Sequence, residues 1–348
     1  MVKVKVKVNV MVKTKKFISK RISIKEHMKT HKTIRSSKTA NKLNNKLIIG
    51  CHISITPSIL DGIKYLQSIN GNALQIFLGN NQSASVKAKT KLTETEMLDI
   101  KTYIHKYDIT LIIHSVYLLN FCNALPNSGL IKYMHDNLLH DLNYGALLGA
   151  KCVVLHLGFK KTLDIKIAIK NFIANIIYIT KKMPSGIQLA IETSAGLQIG
   201  YTLEELADIW NGIKHLGKRV GICIDTAHIF VSGYDISSPD GIANYLDQFN
   251  KLIGWQNIIN FHINDSRYPL GSKKDEHRGI GNGLIYHNLG SHSRALKYIK
   301  TFCQKRGIPM ILETHGAGSI KDLNDNSNSN KQNTKHGYKW EIDLIRKL

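Results

Sequence analysis

The sequence predicts an α/β fold of the (β/α)8 TIM-barrel class, and three observations carry that reading. Eight short apolar runs recur between residues 47 and 314. The runs are continuously apolar and do not alternate, as expected of parallel strands covered on both faces. The intervals between them carry helix signals, and strand alternating with helix in this way closes into a barrel of eight βα units.

In chain order the runs are LIIGCHI (47–53), ALQIFL (73–78), TLIIHS (110–115) and CVVLHL (152–157). They continue with QLAIET (188–193), VGICID (220–225), IINFHI (258–263) and PMILET (309–314). Among the intervals, Thr93-x-x-Glu96 and Thr202-x-x-Glu205 have the form of capping boxes, which start helices. Residues 129–149 and 163–182 place apolar side chains at helical spacing. An open doubly wound sheet is the structural alternative, but no GxGxxG follows the first strand, so its dinucleotide-binding form loses support. The barrel is assigned to residues 47–348. Within it 322–335 reads as a low-complexity loop, and YKWEIDLIRKL (338–348) as a final helix.

Residues 1–46 form a basic N-terminal extension with no sustained core pattern, and are expected to be disordered. They hold 15 Lys/Arg against Glu26 alone, so they supply most of the net charge of +23. Two readings of the extension stand side by side: a solvated Lys-rich tail, or an arm or nuclear address that seeks a polyanion. With 43% hydrophobic residues among 348, the remainder can bury a large core. No run is long enough to span a membrane, and no apolar secretory segment opens the chain. Cys51, Cys122, Cys152, Cys223 and Cys303 lie far apart with no CxxC pair. That spacing argues against a disulfide framework and a thiolate zinc site, and fits an intracellular, reducing compartment. Nucleus, cytoplasm and a virus-associated location are not distinguished by it.

Function in such a barrel lies at the C-terminal ends of the strands. Here six consecutive runs end on a metal-ligand type: His114, His156, Glu192, Asp225, His262 and Glu313. A lone histidine or carboxylate at a strand end is more often a packed or capping group. Six converging on one mouth would repel and resist burial unless cations held them. Imidazole and carboxylate donors without thiolate suit zinc, with manganese or iron also admitted. His228 in DTAH, and Asp275 and His277 in KKDEHRG, offer three further ligands from loops. The serines near these ends, Ser54, Ser115 and Ser194, read as structural.

The segments HSVYLLN (114–120), LHLG (155–158), IETSAG (191–196), GICIDTAHIFVSGYDI (221–236), FHINDSRYPLGSKKDEHRGIGNG (261–283) and ILET (311–314) together resemble the endonuclease IV family of AP endonucleases. The resemblance implies a zinc-dependent endonuclease of base excision DNA repair. It would cut double-stranded DNA 5′ to an abasic site and leave a 3′-hydroxyl and a 5′-deoxyribose phosphate. It implies three zinc ions: one on His114, His156 and Glu192, a second on Glu192, Asp225, His262 and Glu313, and a third on His228, Asp275 and His277. Glu192 would be the bridging catalytic residue, with a zinc-bound hydroxide as nucleophile. A monomer is expected.

By the same resemblance Tyr117 and Leu118 would wedge into the duplex. Ser266, Lys273, Lys274 and Arg278 flank the third ligand set and are candidates to grip phosphates. Gly279, Gly281 and Gly283 are candidates for close approach of backbone to the DNA strand. The chain departs from the family at 79–85, where GNNQSAS carries neither the usual Arg nor the usual Trp. LHLG and ETHGAG also replace more usual proline-containing turns. These departures fall on DNA engagement and leave the ligands in place. The competing readings are a sugar isomerase or epimerase of the same barrel superfamily, and an inactive nucleic-acid-binding homologue.

Overall fold

A strand has a side-chain period of two, so residues two apart share a face. That rule explains how this barrel presents its ligands. In the computed structural model eight parallel strands close on themselves: β1 (Ile49–His52), β2 (Ala73–Phe77), β3 (Thr110–His114), β4 (Cys152–His156), β5 (Gln188–Glu192), β6 (Val220–Asp225), β7 (Ile258–His262) and β10 (Met310–Leu312). Each is paired with its sequence neighbour, and β10 closes the ring between β7 and β1. Two short strands, β8 (Asp265–Ser266) and β9 (His277–Arg278), form an antiparallel pair after β7. The structure describes residues 46–55, 58–83, 85–287, 289, 293–314 and 337–348, all within one unit, Lys46–Leu348. The predicted extension up to residue 45 and the low-complexity stretch 322–335 lie outside the described residues.

The helices are α1 (Ile59–Ser68), α2 (Glu94–Tyr107), α3 (Gly129–Leu148), α4 (Ile165–Lys182), α5 (Leu203–Ile213), α6 (Thr226–Val231), α7 (Pro239–Leu252), α8 (Ser293–Arg306) and α9 (Tyr338–Lys347). None of them, among the described residues, is long and apolar enough to cross a membrane. The start of α2 is a complete capping box: Thr93 Oγ1 accepts from the Glu96 N–H, and Glu96 Oε2 accepts from the Thr93 N–H. The start of α5 is only half of one. Thr202 Oγ1 accepts from the Glu205 N–H, but Glu205 Oε2 takes the N–H of Gly200 instead.

Two apolar layers result. One fills the space between strands and helices. The other is a small cluster inside the ring, including Ala73, Ile112, Cys152, Val154, Ala190 and Cys223. All five cysteines are buried free thiols. Gly50 is required by packing: a Cβ there would lie 1.6 Å from the Ala73 carbonyl oxygen on the neighbouring strand. The lumen cluster sets the phase of the rim. His114 is two residues past Ile112, His156 two past Val154, Glu192 two past Ala190 and Asp225 two past Cys223. Each ligand type therefore shares the inward face of its strand, one step above the plug.

The last helix ties this rim together from outside. Glu341 on α9 is fully buried; its Oε1 accepts from the Ile280 N–H (2.7 Å) and its Oε2 from the Thr314 hydroxyl (2.6 Å). Burial pushes this carboxyl up to about 7 against those two hydrogen bonds. The unfolded chain thus ionises Glu341 near its ordinary value of 4.5 while the folded one still holds the proton. Stability from this group is full below about pH 4.5, falls as pH rises to about 7, and is level above that. We expect the parent to lose about 3 kcal/mol of unfolding free energy across that window relative to Glu341→Gln. Urea titrations of both proteins at matched pH test this; a difference that does not vary with pH would refute it.

Candidate metal centre

Five imidazoles (His114, His156, His228, His262, His277) and four carboxylates (Glu192, Asp225, Asp275, Glu313) meet at the C-terminal mouth. Their donor atoms form three groups with spacing suited to an ion: His114, His156 and Glu192; Glu192, Asp225, His262 and Glu313; and Asp225, His228 and His277. Asp275 joins the third group, its Oδ2 lying 3.1 Å from His228 Nε2 and its Oδ1 3.3 Å from His277 Nε2. Glu192 belongs to two groups. Its Oε2 is 3.3 Å from His114 Nε2 and 3.2 Å from His156 Nε2, while its Oε1 is 3.1 Å from His262 Nδ1.

The backbone brings these side chains in by different routes. Most come directly from inward positions of the barrel strands, and Glu313 lies one residue past β10. His228 is on the first turn of α6, whose N-cap is Asp225; Asp225 Oδ1 accepts the His228 N–H at 2.9 Å. One short turn thus delivers two ligands. Asp275 and His277 come from the β8–β9 hairpin, which is braced by the Arg267–Glu276 ion pair.

The hydrogen bonds identify which ring atoms face the centre. His114 Nδ1 donates to the Ser115 carbonyl (2.7 Å), and His228 Nδ1 to the Thr193 carbonyl (2.8 Å). A neutral imidazole has one N–H. The lone pair on His114 Nε2 therefore points at a Glu192 oxygen, and that on His228 Nε2 at an Asp275 oxygen. Lone pair facing lone pair is repulsive unless a proton or a cation lies between. His277 Nε2 is buried with no hydrogen-bond partner among the described residues, although Asp275 Oδ1 is near.

The electrostatics agree. Burial would lower His277, yet Asp225 and Asp275 carry it up to about 9. Burial would likewise lower His228, but Asp225, Asp275 and Glu192 hold it well above its ordinary value. Burial would raise Glu192, yet His156, His262 and His114 keep it well below the carboxylate range. A cluster that retains protons on imidazoles in this way favours positive charge, and divalent cations displace such protons on binding. The donor set of nitrogen and oxygen without sulfur fits zinc or manganese.

The rim residues divide into two kinds. Tyr117 and Leu118 are about half exposed, and Lys273 and Lys274 are exposed, the two lysines lying over the rings of Tyr201 and Tyr268. Arg278 is partly buried against Glu276. Ser266 is placed otherwise than the sequence suggested. It is fully buried, and its hydroxyl donates to the Tyr268 carbonyl, so it braces the hairpin and does not reach the surface. The glycine loop also serves a different purpose. Gly281 and Gly283 donate their N–H groups to Asp265 Oδ2, and a Cβ on Gly283 would lie 2.4 Å from Asp265 Oδ1. These glycines wrap a buried carboxylate, with Gly281 in the left-handed region (φ 84°). Ser194 is structural, its hydroxyl donating to the Ile199 carbonyl.

Sequence reasoning overlooked Gln75, Asn264, Thr193 and His52. Asn264 Nδ2 donates to Asp225 Oδ2 and Glu313 Oε2, and its Oδ1 accepts from the Glu313 N–H. Thr193 Oγ1 accepts from the Asp225 N–H. Gln75 contacts both His262 and Glu313. A signal was available: Gln75 is a polar residue within an apolar run, in the same inward phase as Ala73.

A family model described as xylose isomerase-like TIM barrel matches residues 63–348. The chain is 33% identical over 274 residues to a putative endonuclease 4 of Acanthamoeba polyphaga mimivirus, covering 76% of this chain and 85% of that protein. It is 33% identical over 279 residues to a probable endonuclease 4 of Halothermothrix orenii, covering 79% and 96% respectively. The fold matches the crystal structure of endonuclease IV from Thermus thermophilus with a TM-score of 0.66 at 23% identity, over 86% of this chain and 98% of that one.

Proposed function

The chain belongs to the endonuclease IV family of xylose isomerase-like TIM barrels, a family of DNA-cleaving hydrolases, and from that membership we propose that it is a zinc-dependent AP endonuclease of base excision repair. It acts on double-stranded DNA, as a monomer, and hydrolyses the phosphodiester 5′ to an abasic site. The products are a 3′-hydroxyl and a 5′-deoxyribose phosphate. The observation that carries this reading is Glu192, whose two oxygens face two separate ligand groups.

Three divalent ions fit the residues present. His114, His156 and Glu192 would hold one, Glu192, Asp225, His262 and Glu313 a second, and His228, Asp275 and His277 a third, with manganese able to replace zinc at one or more of them. Zinc bound there supplies a water acidified toward neutral pH and positive charge beside the phosphodiester. The protein's own part is arrangement. The Ser115 and Thr193 carbonyls orient the His114 and His228 rings, so neither has to turn as the reaction proceeds. Glu192 and Asp225 are almost wholly buried, so their attraction for the ions is little screened. Lys273 and Lys274, exposed on the loop beside the third group, suit phosphate contacts, as does the partly buried Arg278. Tyr117 and Leu118 present an apolar step at the mouth, suited to entering a duplex where a base is missing.

The experiment is a duplex with a single abasic analogue, incubated with purified protein. We expect one nick, 5′ to the lesion, that disappears after chelation and returns on adding zinc or manganese. Turnover of a ketose sugar without nicking would replace the proposal with an isomerase. Binding to the duplex without nicking after full metal loading would replace it with an inactive DNA-binding role.

A further inference from the structure

Gln75 is a fully buried residue of β2 that touches two of the four side chains in the second ligand group. Its side-chain nitrogen lies 2.5 Å from Glu313 Oε1 and 3.0 Å from His52 Nδ1, and its side-chain oxygen lies 2.9 Å from His262 Nε2. These contacts leave one consistent assignment. A carboxylate only accepts, so the amide nitrogen must be the atom that faces Glu313. Its second hydrogen goes to His52 Nδ1. The amide oxygen only accepts, so His262 Nε2 must carry a hydrogen. In the neutral ring the lone pair is then on Nδ1. That atom lies 3.1 Å from Glu192 Oε1, 3.1 Å from Glu313 Oε2 and 3.7 Å from Asp225 Oδ2.

We propose that Gln75 is a positioning residue for this group: one amide fixes His262 as the tautomer whose Nδ1 faces the ion, and at the same time orients the Glu313 carboxylate. Gln75 itself touches neither ion nor DNA. Without it, His262 could turn or change tautomer, and Glu313 would lose a donor on the oxygen that points away from His262. Outer-shell partners of this kind support metal affinity by roughly 10–100-fold. The inference rests on reading the group as an ion site, and does not depend on DNA being the substrate.

The test uses the full chain loaded with NMR-active cadmium and isotope-labelled histidine. The expected result is scalar coupling from cadmium to His262 Nδ1, with the hydrogen on Nε2. In chelator competition, Gln75→Leu should release the ion of this group roughly 10–100-fold more readily, while the ions on His114/His156 and His228/Asp275/His277 are retained. Gln75→Glu keeps an acceptor for His262 Nε2–H but sets a carboxylate against Glu313. It should preserve the Nδ1 coupling and still weaken the ion, and it carries the test if the leucine variant does not fold. Coupling through Nε2 in the parent, or unchanged affinity in the variants, overturns the proposal. A parent that takes up cadmium as described but never nicks abasic DNA would remove the proposed function and leave this inference intact.

Discussion

Glu192→Gln is expected to reduce nicking of an abasic-site duplex by about a hundred- to a thousandfold, the scale seen when a preorganised charge-stabilising group is lost from an active site. The substitution keeps shape and volume. What it removes is the charge and one acceptor oxygen. The parent carboxylate presents Oε2 to His114 and His156 and Oε1 to His262. A carboxamide has one acceptor oxygen and one NH2, so it can serve one group and must present a donor to the other. Metal analysis should therefore show loss of bound ion, while circular dichroism stays that of the parent. Because Glu192 is almost wholly buried, no exposed residue can take its place. Activity within tenfold of the parent would remove Glu192 from the centre.

The largest expected loss of stability lies away from the mouth. Lys89 and Asp141 form an ion pair at 2.8 Å, with both charged groups buried. Asp141→Ala leaves an ammonium buried without its counter-charge, which costs about 3–5 kcal/mol. Lys89→Met combined with Asp141→Leu should recover most of that, because an apolar pair of similar volume avoids desolvating two charges. Urea denaturation of the parent, both single variants and the double variant forms the cycle that checks this. Equal losses in the single and double variants would show that the pair contributes through packing alone. Position gives the pair its interest. Lys89 ends the segment that begins at Gly79, to which it is bridged, and Asp141 is on α3. The pair thus ties Lys89, and through its bridge Gly79, to α3, at the two ends of the segment that contains GNNQSAS (79–85), which carries neither Arg nor Trp. Gly79, Asn80, Asn81 and the adjoining Thr90 line a cavity of about 790 Å³ that also reaches His277 and Glu313.

Much of the centre was legible in the sequence, and the reason is geometric. Continuous apolar runs mark parallel strands, and the two-residue period of a strand carries the inward phase from lumen residue to rim residue. His114, His156, Glu192 and Asp225 stand at the C-terminal ends of their runs, so their convergence on one rim could be anticipated without coordinates, while their shared inward phase with Ile112, Val154, Ala190 and Cys223 came from the structure. The rim loops were less legible, because a loop side chain has no period. Ser266 looked like a phosphate contact and proved to be buried, and Gly281 and Gly283 of GIGNG looked like part of a strand-facing loop and proved to donate to the buried Asp265. The sequence by itself determined the barrel, the donor types and the positions from which they converge, because strand periodicity is a local property. Only the tertiary structure decided which oxygen of Glu192 faces which imidazole, that Gln75 holds His262 and Glu313 together, and that Lys89 finds Asp141. Those partners are dozens to hundreds of residues apart, and nothing local in the chain determines that they meet.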